Sequence, residues 1–228
     1  MHTNDKIRRF SIYRIIEHLL LFIIVSCLIL TGFIQKFYTS DIATWIIVNF
    51  GGIDITILVH RCIGILLIIL FLQHIFFNVI AIIYYNMEFS MLINKDDFHN
   101  FIKDFKYYMG KTNNRAENDR YTYRQKFEYW GVFVSISLLA LSGIILWFPT
   151  FFTAYFPGLI IPIAKIVHFY QAIILLIIII SHIYNAIFNP DVIPLDSSII
   201  TGYLSRERYI KEHLKEYKRK IKEKRTKD

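Results

Sequence analysis

Residues 166–190 read IVHFYQAIILLIIIISHIYNAIFNP, and no charged side chain interrupts them. A helix needs roughly 20 such residues to cross the hydrocarbon core of a bilayer, so this stretch decides the fold: it is a membrane-spanning helix. Its two histidines, His168 and His182, are fourteen residues apart. At 3.6 residues per turn they return to nearly the same helix face, roughly 21 Å apart along the axis. His60 and His74 repeat the spacing in a second stretch that is uncharged from Cys62 to Met87. One histidine then stands near each side of a core roughly 30 Å thick.

Working outward, four segments are long and apolar enough to span, at about 15–36, 57–85, 128–148 and 163–188. The expected fold is an all-α membrane protein, a four-transmembrane-helix bundle forming one domain over residues 1–228. The polar start, Met1 to Arg14, lacks the small-residue cleavage site of a signal peptide, so the first helix is expected to be retained. Lys and Arg cluster before the first span, between the second and third spans, and after Asp191; only Lys36, Arg61 and Lys165 fall near the opposite ends. The positive-inside rule therefore puts both termini and the 86–127 loop in the cytoplasm, with a cytoplasmic tail from residue 189. The net charge of +8 is read as topology, with anionic lipid headgroups as its counter-charge. Without a groove-reading element beside it, the basic balance does not point to nucleic acid. Cys27 and Cys62 lie in or beside spans and read as small packing residues. The absence of C-x-x-C-H excludes covalent c-type haem, and the absence of a four-cysteine cluster excludes an iron–sulfur centre in this chain.

Ionisable residues within spans are costly and usually functional. Span directions alternate, so His60 and His168 share the outer depth, and His18, His74 and His182 the inner one. A lone histidine would read as a hydrogen bond between helices. Five at two matched depths read as axial ligands of two low-spin haems. His60 with His168 forms the outer pair; the inner haem has three candidates for two bonds. Gly32, fourteen residues after His18, and Gly143 in Ser142-Gly143 read as places where a missing side chain lets a macrocycle approach. Bare zinc or iron sites usually recruit carboxylate or thiolate. The spans read as free of acidic residues, which argues against a proton-coupled transporter.

Asp41 to Phe50 reads as a short amphipathic surface piece ended by Gly51-Gly52. A short helix is expected at about 95–109, stopped by Gly110. The tail from about Ser205 to Arg225 reads as a charged helix whose apolar stripe is Tyr209, Ile210, Leu214, Tyr217 and Ile221. His2, His99 and His213 fall in polar segments and are expected on the surface.

Several of these features occur together in one known group. Arg9…His18 opens the first span and Thr31-Gly32 closes it; His60-x-x-x-Gly64 opens the second. Gln125-Lys126-x-x-Tyr129-Trp130 opens the third, which closes as Ser142-Gly143-Ile144-Ile145-Leu146-Trp147-x-Pro149, before Tyr155-Phe156-Pro157. His168 and His182 stand in the fourth, followed by Gly202-Tyr203-Leu204-Ser205-Arg206 and Lys211-Glu212-His213. Over nearly its whole length the chain resembles the gamma, or cytochrome b, subunit of respiratory formate dehydrogenase and, more broadly, the di-haem cytochromes b that anchor nickel–iron hydrogenases. The resemblance implies two haem b groups: His18 and His182 on the inner iron, His60 and His168 on the outer. Gly32, Gly64 and Gly143 belong to the same haem-binding pattern. It also implies a quinone, menaquinone or ubiquinone, near Tyr121, Thr122, Gln125 and Lys126.

Three departures stand out. His74 is an extra inner histidine, an alternative inner ligand to His18. Tyr121-Thr122-Tyr123-Arg124 replaces a smaller, asparagine-containing stretch, and Asp191-Val192-Ile193-Pro194 suggests a different, multihaem partner. The expected function is a membrane-anchoring cytochrome b subunit of a respiratory oxidoreductase in the prokaryotic cytoplasmic membrane. It carries electrons between an outer iron–sulfur or multihaem c-type cytochrome partner and the quinone pool. The alternatives are a stand-alone quinol oxidoreductase with a small diffusible acceptor, and a haem-free membrane anchor.

Overall fold

The computed structural model describes residues 6–86, 89–190, 193 and 197–225. In chain order the elements are β1 (Lys6–Arg8), α1 (Ile12–Lys36), α2 (Asp41–Asn49), α3 (Ile53–Tyr85), α4 (Lys95–Tyr108), α5 (Tyr123–Trp147), α6 (Pro149–Tyr155) and α7 (Ile160–Ile183). A π-helical turn, Tyr184–Phe188, continues α7; then come α8 (Ser198–Thr201), β2 (Tyr203–Ser205), α9 (Arg206–Glu212) and α10 (Leu214–Arg225). Among the described residues four helices are long and apolar enough to cross a membrane: α1, α3, α5, and α7 with its π turn. They match the four expected spans, each beginning three to five residues earlier than the hydropathy indicated.

Local chemistry explains the boundaries. Ser40 caps α2 by accepting from the Ala43 amide at 3.3 Å. Gly51 and Gly52 then turn the chain with φ of +94° and +99°, a region costly for side chains carrying Cβ. Asn94 and Asp97 form a reciprocal capping box at the start of α4. Pro149 occupies the first turn of α6, where its missing N–H leaves nothing unsatisfied.

Three expectations need correction. The protein is not wholly α-helical: β1 and β2 pair antiparallel, Lys6 opposite Ser205 and Arg8 opposite Tyr203. The tail is two helices, α9 and α10, broken at His213. His213 is also not on the surface: it is 1% exposed, its Nδ1 2.8 Å from the Asp119 carbonyl. The buried face of the tail is Tyr209, His213 and Glu216; Glu216 bonds Tyr209 and Lys220, and His213 is held by the loop before α5. His99 is exposed, as expected. His2, and Asp191, Val192 and Pro194 of the extension, lie outside the described residues.

The chain divides into two compact units. One is Tyr13–Asn86 with Phe133–Ile180; the other is Met1–Ile12, Met87–Val132 and Ser181–Asp228. In the first, the start of α1 meets the later part of α3 through Arg14 and Asn78, and the end of α1 meets the start of α3 through Thr31 and His60. These helices therefore run antiparallel. Ser142 near the end of α5 likewise meets His168 near the start of α7, and Ser135 accepts from Gln171 one turn further along at 2.8 Å. In the second unit the Lys126 ammonium and the Asp97 carboxylate form a buried ion pair at 2.8 Å, fastening α4 to the first turn of α5.

Candidate functional site

Within the first unit, α3 presents His60 and α7 presents His168, both half-buried. Their ring centroids are 6.3 Å apart and their planes cross at 69°. The two rings are held by the same device on two different helices. On α1, the Thr31 hydroxyl donates to the Cys27 carbonyl of its own helix at 2.7 Å and lies 2.8 Å from His60 Nδ1. On α5, the Ser142 hydroxyl donates to the Leu138 carbonyl at 2.6 Å and lies 2.9 Å from His168 Nδ1. A hydroxyl has one proton to give. With that proton committed to the helix carbonyl, the oxygen accepts, so each Nδ1 carries hydrogen and each Nε2 keeps its lone pair. That is the tautomer a metal ligand requires.

The residue after each hydroxyl is glycine, and the geometry shows why. A Cβ on Gly32 would sit 3.3 Å from His60 Cε1, and one on Gly143 would sit 3.3 Å from His168 Cε1. The close protein neighbour of each glycine is thus the imidazole itself. Gly64 has no atom within 4 Å of an added Cβ, so close packing gives no reason for it.

The expectation of spans without acidic residues is wrong. Glu17 lies in α1 and Glu128 in α5, and each carboxylate meets a histidine. Glu17 Oε1 is 3.0 Å from His74 Nδ1, while Arg14 bridges Glu17 at 2.7 Å and Asn78 at 2.7 Å. In the second unit, Glu128 Oε2 is 2.8 Å from His182 Nδ1 and its Oε1 accepts from Asn185 at 2.8 Å. A carboxylate on Nδ1 orients an imidazole and raises its basicity as a ligand. These two acids sit within a turn or two of the helix starts, where hydropathy reading sees only the boundary; their spacing to the histidines is spatial, not sequential. His18 is half-buried on α1, in the same unit as His74.

The residues implied for quinone contact all lie in the second unit. Thr122 and Gln125 cap the start of α5 reciprocally, amide to side chain, at 3.0 and 3.2 Å. Lys126 is committed to Asp97. Tyr121 lines a cleft with Arg8, Arg9, Arg120, Tyr209 and Glu216.

Comparison with known proteins agrees with this architecture. The family described as prokaryotic cytochrome b561 matches residues 9–202. The chain is 24% identical over 218 residues to the cytochrome b556(fdo) subunit of formate dehydrogenase from Escherichia coli (strain K12), covering 96% of this chain and 95% of that protein. It is 24% identical over 198 residues to the nitrate-inducible cytochrome b556(Fdn) subunit of the same strain, covering 87% and 85%.

Proposed function

Because the chain belongs to the prokaryotic cytochrome b561 family, we propose that it is a di-haem b-type cytochrome that anchors a respiratory oxidoreductase in the prokaryotic cytoplasmic membrane. It passes electrons between a redox partner subunit and the quinone pool. The observation that carries this reading is the duplicated hydroxyl–glycine seat under His60 and His168. Two imidazoles offer two bonds, which suits a metal whose other ligands come from a macrocycle. Two imidazole rings 6.3 Å apart, each with Nδ1 held by a hydroxyl, offer two Nε2 donors, a donor set that a haem iron would take. The residues fit the group.

Haem b, when bound, supplies a one-electron couple in a water-poor interior. Thr31 and Ser142 hold the Nδ1 protons, Gly32 and Gly143 admit the rings against the helix backbones, and the apolar flanks of the spans exclude water. Assignment of His18 and His182 to a second haem, with His74 as the alternative to His18, rests on the fourteen-residue spacings and the resemblance. The carboxylate held on His182 and on His74 supports ligand character in both. The distribution of Lys and Arg supports cytoplasmic termini. Both relatives named above are formate dehydrogenase subunits, which supports an iron–sulfur or multihaem partner on the outer face. Tyr121, Thr122, Gln125 and Lys126 remain the proposed quinone neighbourhood; Tyr121 lines the cleft under the Arg120 guanidinium.

The test is a reduced-minus-oxidised spectrum with haem stoichiometry on the purified chain. Two haems per chain are expected, with one lost in His60→Ala or His168→Ala and one in His182→Ala. A spectrum without a b-type α-band refutes the reading. Loss of one haem in His74→Ala but not in His18→Ala reassigns the inner ligand.

A further inference from the structure

Helix α4 has three faces of different chemistry. Asp97 and Asp104, seven residues apart, are buried at 4% and 5% exposure. Asp97 pairs with Lys126, and Asp104 accepts from the Ala116 amide at 2.9 Å; this face is turned to the protein. A second face carries Phe98, Phe101, Ile102 and Phe105, of which Phe98 and Phe105 are 62% and 57% exposed; Tyr108 at its end accepts from Arg115 and Arg124. The third carries Lys95, His99, Lys103 and Lys106, all exposed. At 100° per residue these sets occupy separate arcs of the helix.

We propose that α4 lies in the membrane surface, its phenylalanine face among the acyl chains of the leaflet and its lysine face among the headgroups. A helix with protein on one side and water around the rest has no reason to keep a separate aromatic arc exposed, and an exposed apolar patch marks an interaction surface. Depth identifies the occupant. Lys126 in the first turn of α5 fixes α4 by the Asp97 pair, and Trp130, one turn further, donates to the Met91 carbonyl just before α4 at 3.0 Å. The helix is therefore held level with the first turns of a helix long and apolar enough to cross a membrane, where Phe127 is likewise exposed. The polar arc adds charge complementarity: three lysines against Asp96 favour anionic headgroups. Phenylalanine on one side and lysine on the other is the pattern of an interfacial helix.

The test uses the full chain in nanodiscs of phosphatidylcholine and phosphatidylglycerol, with Cys27→Ala and Cys62→Ala as background. Nitroxide labels are placed through Phe101→Cys and Phe105→Cys on the aromatic arc, and through His99→Cys and Lys103→Cys on the basic arc. Phe98→Cys serves should Phe101→Cys lose helix content. Membrane-soluble oxygen is expected to relax the labels at 101 and 105 more than an aqueous nickel chelate does, with the order reversed at 99 and 103. Equal access of the chelate to both arcs overturns the proposal. Shielding of 101 and 105 from both reagents also overturns it, since that face would then be covered by protein.

Discussion

Replacing Thr31 by valine keeps the shape of the side chain and removes only the hydroxyl. In the native structure that oxygen donates to Cys27 at 2.7 Å and accepts from His60 Nδ1 at 2.8 Å. The Cys27 carbonyl still has its helix partner, so its loss costs little. The His60 N–H has no such substitute between the helices, and a buried donor left unsatisfied costs about 1–3 kcal/mol. That cost falls on the Nδ1–H tautomer, which binding at Nε2 requires. At about 1.4 kcal/mol per tenfold, haem affinity at this site falls roughly 5- to 140-fold, in line with the 10- to 100-fold typical of losing an outer partner of a ligating histidine. The assay is the rate of haem transfer to an excess of apo-globin acceptor, with the spin state followed by electron paramagnetic resonance. Thr31→Val is expected to release one haem faster and to show a high-spin fraction; Thr31→Ser, which keeps the hydroxyl, is expected to behave as wild type. Unchanged release and an unchanged low-spin signal in Thr31→Val would refute the claim that the hydroxyl seats the ring.

Gly143→Ala puts a Cβ 3.3 Å from His168 Cε1, so the ring must give by a few tenths of an ångström; a shifted low-spin resonance and midpoint potential are expected. Lys126→Ala strands the buried Asp97 carboxylate, costing about 3–5 kcal/mol; earlier proteolysis within α4 at a given temperature is the measurement. Burial raises the Glu216 carboxyl, but hydrogen bonds from Tyr209 and Lys220 and the charges of Lys220 and Arg120 outweigh it and hold the pKa below the ordinary 4.5. A depressed carboxyl stabilises the fold above its ordinary pKa and loses that contribution as pH falls through the depressed value. Hydrogen exchange along α10 is thus expected to quicken on acidification below 4.5, and Glu216→Gln to remove the pH step.

The four spans were legible because their apolar runs far exceed any soluble helix, and His60 with His168 because alternating directions put them at one depth. The glycines were legible as positions, but not their neighbour: sequence spacing shows which residues share a face, not which ring arrives from another helix. Glu17 and Glu128 were missed because hydropathy windows weigh a charge at a span boundary as topology, whereas each is spent on a histidine far away in sequence. The stripe on the tail was legible, but not its break at His213 or the burial of its polar groups: Glu216 bonds Tyr209 and His213 meets the Asp119 carbonyl, partners that spacing along the tail does not show. The strands escaped because three residues carry no alternation to read.

The pairing of β1 with β2 gives the chain an order of events. Lys6–Arg8 precedes the four spanning helices in the chain and Tyr203–Ser205 follows them, and segments fold broadly as they are made. All four spans must be inserted before the two strands can meet, and contacts between such distant segments form late. Closure of this small sheet therefore depends on the last span: a chain cut short within it leaves Lys6–Arg8 without its mate.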